Sequence, residues 1–345
     1  MLYTNSAYLK NISLHIVGNK QNEENVHIAK SLLQLHDEVR DILSLYFLSS
    51  FKSNEYFIFF HDSDLKYNEV YGFVTDIFNQ PDSLYENSVR LAKHLYEQST
   101  HPKIKGGEFY TVYFKGCIID GETVDAVGLF KSENKDTFLK VFSSGEDFEI
   151  ESEKGVNINK LDKGCLIFNT EKEKGYVVAV VDNTNKGADA QYWIDHFLHV
   201  RQRKDEYYNT QNVMSLCKNF VKTELPQQFE VSKADQVDFL NKSVQFFKEN
   251  DNFNLNEFAN EVIRQPEIIE SFNQYKSSFQ KDFDIEIADN FMISESAVKK
   301  QSRTLKSVIK LDKNFDIYIH GNRDLMEQGE DKKGKYYKVY YKEES

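Results

Sequence analysis

Only 4 prolines and 15 glycines occur in 345 residues, too few for long disordered linkers or for a glycine-rich phosphate-binding architecture. The whole chain is therefore expected to fold. Cysteine is scarce too. Cys117, Cys165 and Cys217 stand far apart, and no CxxC pair is present to ligate zinc or to form a redox dithiol. Three isolated thiols read as buried side chains in a reducing cytoplasm. No run of about 18 apolar residues exists, and the opening MLYTNSAYLKNISLHIVGN has no basic segment followed by an apolar one. Neither a membrane span nor a secretory leader is expected.

Catalytic signatures are missing as well. Lys103-Ile104-Lys105-Gly106-Gly107 has neither the spacing nor the GK[ST] of a P-loop, and no GxSxG elbow occurs. His196 and His199 are three apart on a candidate helix, but no HExxH surrounds them. Asp182 to Gly187 fails as a calcium loop, because Trp193 stands where the bidentate glutamate belongs. His61-Asp62-Ser63-Asp64 reads as a turn held by side-chain-to-backbone bonds. The chain is expected to work by binding, without catalysis, cofactor or metal.

What the sequence has in quantity is aromatic residues, 27 Phe and 20 Tyr, within a 40% apolar total. Rings of that size can dominate a core, and the length suggests two domains. The net charge of −12 repels duplex DNA at long range. Contact with nucleic acid then requires a local cationic patch, or a partner.

Periodicity supplies the fold class. Ile12 to Val17 alternates as a strand; Val39, Ile42, Leu43 and Tyr46, and then Tyr85, Val89, Ala92, Leu95 and Tyr96, recur at helical spacing. From Glu108 short β-rich runs follow: Phe109 to Phe114, Val124 to Phe130, Phe138 to Phe142, Gly164 to Phe168 and Tyr176 to Val181. Asp120-Gly121, Ser144-Gly145 and Lys174-Gly175 separate them, as an antiparallel meander requires. Beyond Asn183 the helical period returns, with Ala190, Trp193, Ile194 and Phe197 on one face and Val213, Leu216, Cys217 and Phe220 on another. Ser232 with Asp235, and Asn254 with Glu257, read as helix starts, and Pro266 suits a first turn. Phe315 to Ile319 and Tyr336 to Tyr341 alternate as a small terminal hairpin. The expectation is an α+β protein: residues 1–183 an antiparallel meander sheet with helices, residues 184–345 mainly helical with a terminal β hairpin.

This order, with Lys105-Gly106-Gly107 leading into a strand, Val156-Asn157-Ile158-Asn159-Lys160-Leu161-Asp162, Gly187-Ala188-Asp189-Ala190-Gln191-Tyr192-Trp193 through Leu198, and Ser302-Arg303-Thr304-Leu305 near the end, resembles the bacterial nucleoid-associated protein family, the NdpA-like proteins. The resemblance implies a cytoplasmic protein on the compacted chromosome, with a two-domain body. It brings no active-site residues with it.

The strongest cationic feature spans residues 296–313, where Lys299, Lys300, Arg303, Lys306, Lys310 and Lys313 face only Asp312. Read as one helix, 299, 303, 306 and 310 share a side, while Val298, Leu305 and Ile309 gather on another. Such a face could neutralise phosphates without reading sequence; a solvated helix face is the plainer alternative. Arg201, Arg203 and Lys204 form a second group, which would also suit a helix C-terminus. Trp193 reads as core, not as a base-stacking platform. The sequence thus points to a nucleoid-associated protein making non-sequence-specific contact with chromosomal DNA. Its rivals are an acidic adaptor docked on a DNA-processing enzyme and a defence-related DNA sensor. The oligomeric state is open between monomer and homodimer.

Overall fold

A computed structural model describes residues 2–4, 6–145, 147–184, 192–305, 308–319 and 325–343. The chain falls into two compact units, Met1–Arg203 and Lys204–Ser345.

The first unit contains β1 (Leu2–Tyr3), β2 (Tyr8–Val17), β3 (Val26–His27), α1 (Asp37–Leu48), β4 (Tyr56–Phe59), α2 (Glu69–Asn79), α3 (Leu84–Gln98), β5 (Gly107–Ile119), β6 (Glu122–Ser132), β7 (Asp136–Ser144), β8 (Asp147–Gly155), β9 (Lys163–Phe168), β10 (Val177–Asp182) and β11 (Val200–Gln202). An antiparallel sheet runs β11-β4-β10-β9-β6-β5-β2-β3, with β1 paired to the end of β5. β11, which lies in the stretch read from the sequence with the helical half, joins this sheet: Val200, Arg201 and Gln202 pair with Phe59, Ile58 and Phe57.

Helices cover both sheet faces, which explains why β5 reads as a continuous apolar run. Phe109 and Tyr113 pack with Val70, Val74, Leu84, Leu91, Trp193 and Phe197 on one face. Tyr110, Val112 and Phe114 pack with Tyr46, Phe47 and Phe130 on the other. Phe47 and Phe130 stack with centroids 4.2 Å apart. The β5–β6 connection is a two-residue turn, Asp120 and Gly121, both at positive φ as its right-handed twist demands. Trp193 is fully buried, as expected, on a π-helical turn, Tyr192–Leu198.

One strand departs from the expected meander. β7 carries Phe138 to Phe142 but pairs only with β8, as a ribbon separate from the main sheet. An alternating pattern gives period 2 whichever sheet a strand joins, so the sequence could not assign it.

The second unit contains α4 (Glu206–Asn219), α5 (Leu225–Gln228), α6 (Lys233–Glu249), β12 (Asn252–Asn254), α7 (Leu255–Phe258), α8 (Pro266–Asp282), β13 (Asn290–Met292), α9 (Glu295–Ser302), β14 (Val308–Leu311), β15 (Phe315–Tyr318), β16 (Met326–Asp331) and β17 (Gly334–Val339). Ser232 and Asp235 form a reciprocal capping box at the start of α6, and Pro266 opens α8. The core is a phenylalanine cluster: Phe220, Phe239, Phe246, Phe247, Phe253, Phe258, Phe272 and Phe279 are all buried. Burying each ring is worth roughly 2–3 kcal/mol. The expected small terminal hairpin is present as β16 with β17, and a second one precedes it. β14 pairs with β15 and β16 with β17, and Ile309 and Met326 from these pairs pack on Ala234 and Val237 of α6.

Candidate functional site

The cationic stretch 296–313 does not form one helix. α9 starts at Ser294, whose hydroxyl accepts the Ala297 N–H, buries Ala297 and Val298, and ends at Ser302. From Val308 the backbone is a strand. The correction has a physical cause. Val308 and Ile309 are β-branched and favour a pleat, and in the strand Ile309 is buried with Ala234, Val237 and Met326. Lys299 and Lys310 therefore stand on different elements, a helix and a strand, and share no helical face.

Lys299 and Lys300 lie exposed in the last turn of α9, where they offset the helix dipole. The Lys300 Nζ also sits 5.6 Å over the Tyr207 ring. Arg303 caps the helix and is exposed. Lys306 lies outside the described residues. Lys310 stands across from Asp316, its cross-strand partner, at 3.8 Å. Lys299 and Arg303 have no carboxylate partner among the described residues.

The second group is also redistributed. The helix before it ends at Leu198, His199 turns left-handed at φ 51°, and Arg201 belongs to edge strand β11. Its guanidinium lies 5.2 Å over the Phe60 ring. Arg203 is held by Glu171 at 2.6 Å and Asp120 at 4.0 Å, and Lys204 by Glu286 at 3.0 Å. Each has a neighbour within reach, though Arg201 and Lys204 stay exposed; the expected helix-terminal cluster is absent.

Sequence reasoning missed a different concentration of charge. Lys131 of β6 and Lys163 of β9 are registered opposite each other, and neither has solvent exposure. Like charges so placed repel, so each needs its own counter-ion. The Lys131 Nζ meets Glu133 at 3.1 Å, the Tyr192 hydroxyl at 3.2 Å and the Lys105 carbonyl at 2.7 Å. The Lys163 Nζ donates to both Asp182 carboxylate oxygens, at 2.8 and 2.7 Å, and to Thr184 at 2.7 Å. The Tyr192 ring is close to both ammonium groups, 5.4 and 5.1 Å from its centroid, and its hydroxyl donates to Glu133 at 2.6 Å. Burial lowers the Lys131 pKa and raises that of Tyr192. Asp162 completes the frame by accepting the backbone N–H groups of Glu133 and Asn134.

Three of the segments that carry the family resemblance converge here, through Lys105 to Gly107, Asp162 and Tyr192. Gly107 has no room for a side chain: a Cβ would lie 1.8 Å from the Ser132 carbonyl oxygen. Gly187 to Gln191 lies outside the described residues. A cleft of about 560 Å³ opens beside the network, lined by Gly18, Glu24, Lys105, Gly106 and Glu133 among others. An ammonium has three protons, and all three of each lysine are committed inside the protein. Neither lysine has a donor left for a phosphate, so the network fixes structure and is not an anion site. No group of three or more His, Cys, Asp or Glu that could hold a metal is present among the described residues. Among the same residues no helix is long and apolar enough to cross a membrane.

A family model described as nucleoid-associated protein YejK matches residues 13–335. The chain belongs to this family of nucleoid-associated proteins. No curated protein matches it significantly.

Proposed function

We propose that this protein joins the nucleoid by docking on a chromosome-bound protein, as an acidic adaptor, and not by neutralising phosphates itself. The observation that carries the reading is the placement of the candidate cations. Arg203, Lys204 and Lys310 are paired with carboxylates, Arg201 lies on an aromatic ring, and the stretch expected to align the others is broken after Ser302. A chain of net charge −12 then has little local cation with which to overcome its own field. DNA-processing enzymes, whose own surfaces are cationic where they hold DNA, are the class of partner that suits an acidic adaptor.

The experiment compares intact nucleoids with the same chromosomal DNA stripped of protein. The purified chain is expected to be retained on the first and not on the second. A second reading, non-sequence-specific contact with chromosomal DNA, draws on the exposure of Lys299, Lys300 and Arg303 at the end of α9. It predicts equal retention on both.

A further inference from the structure

The β7–β8 ribbon divides its residues by face. Directly opposed pairs share a face in an antiparallel ladder. On one face lie Phe138 with Glu153, Lys140 with Glu151, Phe142 with Glu149 and Ser144 with Asp147. On the other lie Leu139 with Ser152, Val141 with Ile150, and Ser143 with Phe148. The carboxylates of Glu149, Glu151 and Glu153 therefore all turn one way. The opposite face presents four large apolar side chains, with Leu139 69%, Val141 61%, Phe148 75% and Ile150 65% exposed. Such a face belongs to half of a sandwich.

We infer that this apolar face of the β7–β8 arm is a self-association surface, and that a second copy of this chain covers it with the same face. Size, shape and charge each support that occupant. Four such side chains offer on the order of 500 Å² of apolar surface, at the upper end of what monomers leave exposed; two copies facing each other bury about twice that, near the ~1,200 Å² lower bound of a specific interface. A modest, concentration-dependent dimer follows. The face is also self-complementary. A two-fold axis crossing the strands at the Val141–Ile150 pair lays Leu139 over Ser143 of the partner subunit and Phe148 over Ser152 of the partner subunit, large on small at both ends. Each copy's carboxylates then point away from the contact into solvent.

The test is sedimentation velocity of the full chain over a concentration series. Wild type is expected to pass from monomer to dimer, and Leu139→Ser with Ile150→Ser to weaken association at least about tenfold. Glu151→Gln, on the acidic face, should leave it intact. All three side chains changed lie outside both cores, so circular dichroism and melting should match wild type. Because Cys117, Cys165 and Cys217 are buried, a crosslinking readout is available that does not depend on the double variant. Val141→Cys should form an intermolecular disulfide on mild oxidation, and Glu151→Cys should not. A wild type that stays monomeric throughout, a dimer indifferent to the double substitution, or equal crosslinking from both faces would overturn the inference.

Discussion

Lys131 and Lys163 stand directly across a ladder from one another with no solvent exposure, and the Tyr192 ring lies within 5.5 Å of both ammonium nitrogens. Buried like charges persist only where counter-ions hold them apart in energy, here Glu133 for one and Asp182 for the other. Replacing Lys131 by Met leaves Glu133 buried without its cation, with the Tyr192 hydroxyl still donating to it. That should cost about 3–5 kcal/mol, whereas Lys131→Met with Glu133→Leu should recover much of the loss. The one tryptophan, Trp193, is buried in the same unit, so its fluorescence in a urea titration reports the change. A single substitution as mild as the double one would show that the pair is not coupled.

His15 supplies a pH dependence of predictable sign. Its Nε2 lies 3.1 Å from the Ser13 hydroxyl and 2.9 Å from the Ser88 hydroxyl, while Nδ1 accepts the Ala29 N–H at 3.2 Å. Burial lowers its pKa below 6.5, and protonation at Nδ1 would break the Ala29 bond. The unfolded chain thus binds more protons than the folded one below about pH 6.5, and stability falls as pH drops through that range toward the folded pKa. In His15→Asn this component should vanish. The check is the Trp193-detected denaturation midpoint at several pH values for both proteins; parallel acid slopes would refute the assignment.

Adjacent glycines should respond differently to alanine. At Gly107 the added Cβ meets backbone, the Ser132 carbonyl at 1.8 Å, and the strand pairing must give way. At Gly106 the nearest atom is the Glu24 carboxylate oxygen at 2.6 Å, the movable end of a side chain, with the Gly18 Cα at 3.1 Å. Gly107→Ala should destabilise by several kcal/mol, on the scale of severe overpacking, and Gly106→Ala by about 1–2. Thermal melting of the two variants separates them, and equal losses would contradict the steric account.

How much of this was legible in the sequence depended on whether one period went unopposed. The buried run Phe109 to Phe114, the Ser232–Asp235 box and Pro266 at a helix start each had a single local explanation, and each formed as expected. Two signals competed after Ser302. The spacing of Lys299, Arg303, Lys306 and Lys310 suggested a helix, but Val308 to Leu311 obeys the strand, because burying Ile309 outweighs a solvated cationic face. Lys131 and Lys163 escaped notice because a lysine in a strand ordinarily marks a solvent-facing seat. The available clue was position: Lys131 directly follows the run Val124 to Phe130, and Lys163 directly precedes the run Gly164 to Phe168, where both strands are buried on two faces. The counter-ions, Glu133 two residues beyond Lys131 and Asp182 on the neighbouring strand β10, are set by side-chain direction and strand pairing, which periodicity does not register.

On the adaptor reading proposed above, nucleoid association does not rest on this protein's own phosphate contacts. Its most direct test is binding of the purified chain to random-sequence duplex DNA across a salt series. With Lys299, Lys300 and Arg303 the cations exposed together at the end of α9 among the described residues, the slope of log K against log salt should be no steeper than about −3, at roughly 0.9 per phosphate neutralised, with no measurable affinity at physiological salt. A clearly steeper slope, with binding that persists at physiological salt and disappears in Lys299→Glu/Arg303→Glu, would contradict the account.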